Sequence, residues 1–203
     1  QSATFNIGYN NGASAQSASG GVQGTGAAPA TLTISDGATY NYGSFATGTN
    51  NDKSFTITNS GGVPATSISG SGLSAPFAFK GGTYPGTGGT CGSSLAASNT
   101  CSIVVTYSPT VAGTQSSQID IAYTDGVSAQ STSRPVQGTG LLPANISISD
   151  GVTYNYGTKA NGSSTDKSFT LTNTGSFTAT SMTGSGLSAP YSFKGGSYPG
   201  TGG

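Results

Sequence analysis

Residues 53–59 read Lys53-Ser54-Phe55-Thr56-Ile57-Thr58-Asn59. Two apolar side chains alternate with hydroxyls, the period of a strand with one face buried and the other in water. Ser60-Gly61-Gly62 then breaks the run. The pattern returns as Lys167-Ser168-Phe169-Thr170-Leu171-Thr172-Asn173, displaced by 114 residues. ISDG-TYNYG (34–43 and 148–157), GSGLSAP (70–76 and 184–190) and YPGTGG (84–89 and 198–203) recur at the same spacing. Without gaps, 41 of the 63 positions in 27–89 are identical in 141–203, so this is an internal repeat rather than chance similarity. Residues 1–26 match 115–140 at that offset too.

The chain therefore holds less than two copies of a 114-residue repeat. A Gly-X-Gly pair followed by Pro reads as a break between elements and sets the phase, with the cuts at Gly26–Pro29 and Gly140–Pro143. On that reading residues 1–26 are the C-terminal strands of one repeat. Residues 27–140 are a complete repeat, and 141–203 open a third. The alternation seen at 53–59 extends through the middle repeat. Leu32 and Ile34 share a face, as do Phe77 and Phe79, Ile103, Val105 and Tyr107, and Ile119, Ile121 and Tyr123. Asp36-Gly37 and Asp125-Gly126 supply turns. About seven or eight short, Thr-rich strands in one repeat, with no sustained 3.6-residue period, predict tandem immunoglobulin-like β-sandwiches. The expected core is Leu32, Ile34, Phe55, Ile57, Phe77, Phe79, Ile103, Val105, Ile119 and Ile121.

Composition narrows the function. The 203 residues carry six acidic and six basic side chains, no His and no Trp, and every acid is Asp. Lack of His removes Ser–His and Cys–His nucleophiles and His-ligated metals. Six scattered bases give no footprint for nucleic acid and no polybasic membrane patch. No apolar run is long enough to span a bilayer as a helix. The expectation is therefore no enzyme, with no catalytic, cofactor-binding or metal-ligating residue.

Family resemblance sharpens the fold. SFT-I/L-TN-S/T-G, then a cysteine pair, then CSIVVTYSPTVAGT (101–114) resembles the ASH-type, MSP-like immunoglobulin-like domain, as found in secreted bacterial "choice-of-anchor D" surface proteins. The resemblance is carried by Phe55, Thr58, Asn59, Gly61, Cys91, Cys101, Ile103, Val105, Tyr107, Pro109, Thr110 and Gly113. It implies a surface location and use as a tandem spacer or interaction module, not a reaction.

Cys91 and Cys101 do not have a metal spacing, and the chain holds no other soft ligand. They read as a disulfide closing a small loop, with reduced thiols as the alternative. A bridge implies an oxidising compartment. A chain opening at Gln1 without Met suits a processed or fragmentary exported protein.

Other residues allow a chemical reading beside a plainer one. Asp120 and Asp125 could form a carboxylate dyad but read as edge and turn residues, as do Asp36 and Asp150. Asp36, Asn50, Asn51 and Asp52 are oxygen donors of a kind calcium takes, without its usual loop pattern. Lys80 with Asn59, and Lys194 with Asn173, supply two of three groups for an isopeptide crosslink but have no placed acid. The Gly-rich run 81–89 reads as a flexible loop. Tyr40, Tyr42, Tyr84 and Tyr107 could stack on sugar but read as half-buried strand-end residues. Two glycosylation patterns, at Asn145 and Asn161, have no counterpart in the preceding repeat and are taken as chance.

These readings converge on an extracellular structural repeat protein forming a rod, filament or sheath, its partners copies of itself. One alternative is an adhesin gripping cell-surface glycan through loops such as 81–89. Another is a subunit that polymerises by strand complementation between chains. Residues 141–203 with 1–26 make up 89 residues, short of 114, which favours a longer natural chain.

Overall fold

A computed structural model describes residues 1–203. The chain is almost entirely β, with thirteen strands and a single 3-10 turn at Lys194–Gly196. In order they are β1 (Ser2–Asn10), β2 (Ala15–Gln23), β3 (Leu32–Ile34), β4 (Tyr40–Ala46), β5 (Asn51–Asn59), β6 (Ala65–Ser71), β7 (Phe77–Phe79), β8 (Ser94–Leu95), β9 (Thr100–Tyr107), β10 (Gly113–Thr124), β11 (Ala129–Leu141), β12 (Ile146–Ile148) and β13 (Leu171–Asn173). They form a four-stranded sheet of order β3-β5-β9-β7 and a five-stranded sheet of order β4-β11-β10-β6-β8. Two further sheets have two strands each, β1-β2 and β12-β13. The middle repeat holds nine of the strands, one of them two residues long.

Two compact units are distinguished by their contacts. The first comprises Gln1–Tyr40, Asp52–Thr106 and Ser117–Val136. Here the four-stranded sheet supplies Leu32, Ile34, Phe55, Ile57, Phe77, Phe79, Ile103 and Val105 to a buried core. Ile68 of β6, Ile119, Ile121 and Tyr123 of β10, and Val136 of β11 face them from the other layer. All ten expected core residues are buried, as strict alternation on both sheets requires. Tyr123 also ties the layers together, its hydroxyl accepting the Leu32 N–H at 3.2 Å. The Ala30 N–H donates to the Asp125 carbonyl at 2.9 Å. This is a β-sandwich of immunoglobulin-like type.

In the same unit β1 and β2 form a regular antiparallel hairpin, from Ser2↔Gln23 to Asn10↔Ala15. Its turn is held by the Asn11 side chain, which accepts the N–H groups of Ala13 and Ser14.

The second unit comprises Asn41–Asn51, Tyr107–Ser116 and Gln137–Gly203. Tyr107 is fully buried there, 5.5 Å from the Tyr42 ring, and its hydroxyl donates to Gln115 Oε1 at 2.6 Å. Gly138 lies against that ring so closely that a Cβ would come within 2.5 Å of it. From 141 onward the local contacts of the preceding repeat return. Lys167 pairs with Asp150 at 2.8 Å, as Lys53 does with Asp36. Gly175 presses on Pro143 as Gly61 does on Pro29.

What does not return is the extent of the strands. β5 runs nine residues, whereas its counterpart β13 runs three, and β4 and β6 have no counterparts. The reason is partnership. β5 pairs with β9, β6 with β10 and β4 with β11. Residues 141–203 include no counterpart of β9, β10 or β11. A strand lacking a neighbour has no ladder to extend.

Candidate functional site

The one covalent device joins the expected pair: Cys91 and Cys101 are bridged, with Cα atoms 4.9 Å apart. The loop between them is anchored by a residue whose role the sequence did not reveal. Asn59, at the end of β5, is fully buried. Its amide donates to the carbonyls of Val63, Leu95 and Ala96 at 3.0–3.3 Å, and its Oδ1 accepts the N–H groups of Thr31 and Gly61. One side chain thus fastens the disulfide loop, the turn after β5 and the entry to β3. A buried amide so fully committed is a structural hub. The available signal was Asn before Gly at the end of the same strand pattern in both repeats, Asn59-Ser60-Gly61 and Asn173-Thr174-Gly175.

That commitment removes Asn59 from the crosslink considered above. Lys80 instead pairs with Asp52 at 2.7 Å, and Asp52 also accepts the Thr106 hydroxyl at 2.6 Å. These two hydrogen bonds, the lysine's first, hold the Asp52 carboxyl below the ordinary range. Lys194 repeats the pairing with Asp166 at 2.6 Å, while Asn173 donates to the Phe177 carbonyl.

Three of the four oxygen donors are engaged elsewhere. Asp36 accepts Lys53 and the Ser35 hydroxyl, which lower its pKa. Asp52 faces Lys80, and Asn50 accepts the Ser108 hydroxyl at 2.7 Å. Ammonium groups hold both carboxylates, and no three acidic or thiol groups gather around a point. Nor do Asp120 and Asp125 share a cleft. Asp120 accepts Gln118, whereas Asp125 caps its own turn by accepting the N–H groups of Val127 and Ser128 at 2.7 Å. Backbone donation, Ser128 first, lowers the Asp125 pKa.

Two readings change. Run 81–89 is not a free flexible loop but is laid along β9. Lys80 N–H donates to the Val104 carbonyl, Val104 N–H to Pro85, and Thr90 N–H to Ser102, all at 2.8–2.9 Å. A Cβ on Gly86 would meet the Val104 oxygen at 2.2 Å, so glycine here permits close backbone approach. Secondly, the four tyrosines do not make one platform. Tyr40 meets Phe55 edge-on under the Lys53 ammonium, Tyr84 meets Phe79 edge-on, and Tyr107 is buried against Tyr42. Asn145 and Asn161 are exposed.

Arg134, the sole arginine, was also missed. Its guanidinium donates to the Ile34 carbonyl, and its Nε is buried without a hydrogen-bond partner. A shallow polar depression lined by Gln1, Ser2, Gln23, Gly24 and Thr25 contains no titratable side chain.

No protein-family model and no curated protein matches the chain. Among solved structures it is similar to the ASH/PapD-like domain 7 of human CEP192, at 15% identity over 60% of this chain and 94% of that one, with a TM-score of 0.44. It is similar to the VesB protease of Vibrio cholerae at 18% identity, over 53% of this chain but only 31% of that one, TM-score 0.44. A family 123 glycoside hydrolase from Clostridium perfringens follows at 10% identity, 57% and 27% coverage, TM-score 0.36. The expectation that the chain stands apart from enzymes is corrected, because a protease and a glycosidase are among its structural neighbours. At these scores the likeness assigns neither a reaction nor a ligand. No helix is long and apolar enough to cross a membrane.

Proposed function

We propose that the chain is a stretch of a tandem array of immunoglobulin-like repeats, displayed outside the cell, whose work is mechanical: to extend, space and pack in a rod, filament or sheath. The observation that carries this reading is the return of the same contact set at a fixed offset. Lys53–Asp36 under Tyr40 becomes Lys167–Asp150 under Tyr154, and Lys80–Asp52 becomes Lys194–Asp166. Return of the same local contacts at a fixed offset is expected of an architecture built by addition of like units. The domains of this reading are 1–26, the tail of a preceding repeat, 27–140, a complete one, and 141–203, the start of a third. Bacterial choice-of-anchor D surface proteins are the family whose sequence pattern it fits.

A disulfide supports the oxidising compartment. Zero net charge lets copies approach without long-range repulsion, so copies of the repeat are the partners proposed. The test is solution scattering on concatenated repeats. In a spacer, the longest molecular dimension grows by a constant step for each added 114-residue copy. Dimensions that stay those of one globule as copies are added would refute it. Antibody labelling of intact source cells checks the location, with staining only after lysis counting against it.

A further inference from the structure

Backbone hydrogen bonds hold the chain on both sides of the passage from one repeat to the next. β11 runs without interruption as far as Leu141. The Leu141 carbonyl accepts the Thr47 N–H at 2.9 Å, from the turn that follows β4. Beside it the Gly48 N–H donates to the Pro109 carbonyl at 2.8 Å, and the Val111 carbonyl leaves no room for a Cβ on Gly140. Residue 141 is thus held by loops of 27–140. The next carbonyl, of Leu142, accepts the Ser176 N–H at 2.9 Å and the Phe177 N–H at 3.3 Å. Residue 142 is thus held by a turn of 141–203. Pro143 follows with its φ fixed by the ring, pressed by Gly175. Asn145 then donates its N–H to Asn173 Oδ1 at 3.1 Å and accepts the Thr174 N–H at 2.8 Å. Every one of these groups lies in the second compact unit. The same entry grip is present at the start of the complete repeat, inside the first unit. There the Ala28 carbonyl accepts the Gly62 N–H at 3.0 Å, Gly61 presses on Pro29, and the Thr31 carbonyl accepts the Ser60 N–H at 2.9 Å.

We propose that the passage between repeats is a fixed joint rather than a hinge, made by residues 141 and 142. A flexible linker needs residues whose backbone is free of both neighbours. Here two adjacent carbonyls answer to two adjacent repeats, and no residue lies between them. The grip is made by backbone groups, so it accepts different side chains at different boundaries: Ala28 against Gly62 at one, Leu142 against Ser176 at the next. What both boundaries share is the proline after the gripped carbonyl and the glycine that packs on it, Pro29 with Gly61 and Pro143 with Gly175. Any replacement of either glycine by a larger residue would push the turn off the chain it holds. This inference rests on the array reading and adds to it the stiffness of the joint: repeats so coupled pass on direction as well as distance.

Backbone nitrogen relaxation of the whole chain reads the joint directly. Order parameters at Leu141, Leu142, Ala144 and Asn145 are expected near about 0.85, level with those of β5 and β9. Values below about 0.6 at these residues overturn the proposal. A second measurement separates the joint from the array. Tandem arrays of the repeat are compared by solution scattering, with the boundary as it stands and with Gly-Ser-Gly-Ser inserted between residues 141 and 142. The insertion falls between the two grips, so an unchanged thermal midpoint confirms that folding is intact. With the boundary unaltered, the radius of gyration is expected to grow in proportion to the number of copies. With the insertion it should grow only as roughly the square root of that number, as in a freely jointed chain. Growth that is the same in both sets overturns the joint and leaves the spacer standing. Arrays that keep the dimensions of one globule in both sets refute the array reading, and the joint with it.

Discussion

Asn59 shows how much one uncharged side chain can hold. Replacing it with Ala leaves the Thr31 and Gly61 N–H groups and three carbonyls without their partner in a buried site. Unsatisfied buried groups cost about 1–3 kcal/mol each where water cannot reach them, so Asn59→Ala is expected to lose roughly 3 kcal/mol in denaturant unfolding. Its counterpart is exposed, so Asn173→Ala should change the main transition by less than about 0.5 kcal/mol. The sequence pointed to a strand end at Asn59 but not to a hub, because polar residues before glycine look alike whether they face water or five backbone groups. The Gly-rich run misled for the converse reason. Glycine permits flexibility and close approach alike, and only the position of Val104 tells them apart.

Charge acts at this scale as well. Asp36, Asp52 and Asp125 all sit below the ordinary Asp value of 3.8, the first two chiefly through lysine hydrogen bonds and the third through backbone N–H groups. A lowered folded pKa contributes stability that is present above the unfolded value and lost as pH falls through the folded one. With no His to titrate, thermal stability should be level between about pH 5 and 8 and decline below about pH 4. Tyr84 and Tyr107 are shifted upward by burial, so a second decline belongs above about pH 10, when their unfolded forms ionise first. A transition that moved steeply between pH 5 and 8 would contradict this assignment.

At the scale of elements, partners decide whether a strand forms. Alternation in 53–59 and in 167–173 is the same, yet β5 extends over nine residues and β13 over three. Local pattern was legible in the sequence; ladder length was not, because it depends on residues far along the chain. Phe55 and Phe169 make this measurable. Phe55 is 0% exposed and Phe169 42%, so Phe55→Ala should cost about 3–5 kcal/mol and Phe169→Ala far less. Equal effects would mean that both copies are equally enclosed. The disulfide belongs here too, since it closes the loop that leads into β9. Cys91→Ala with Cys101→Ala should lower unfolding free energy by about 2–3 kcal/mol, as loop closure of that length implies.

For the whole molecule, the repeat was the most legible feature, being written in residue identities over both flanks. The ten core positions followed from alternation. Ile68 and Val136 escaped because each is a lone apolar residue among small and polar ones, Ser67 to Gly70 and Arg134 to Gln137. Function was less legible than fold, because the patterns that recur are those of packing, which name neither a reaction nor a ligand. The exposed flanks acquire meaning only when laid over the buried residues they repeat. We propose that residues 27–140 hold everything one sandwich needs, the flanks being parts of neighbouring repeats. Thermal and denaturant unfolding of 27–140 alone, with Cys91–Cys101 intact, tests it directly. One cooperative transition at nearly the midpoint of the main transition of the whole chain is the expected result. A fragment without a cooperative transition, or one melting far below the parent, would show that the flanks are structural parts of this domain and contradict the claim.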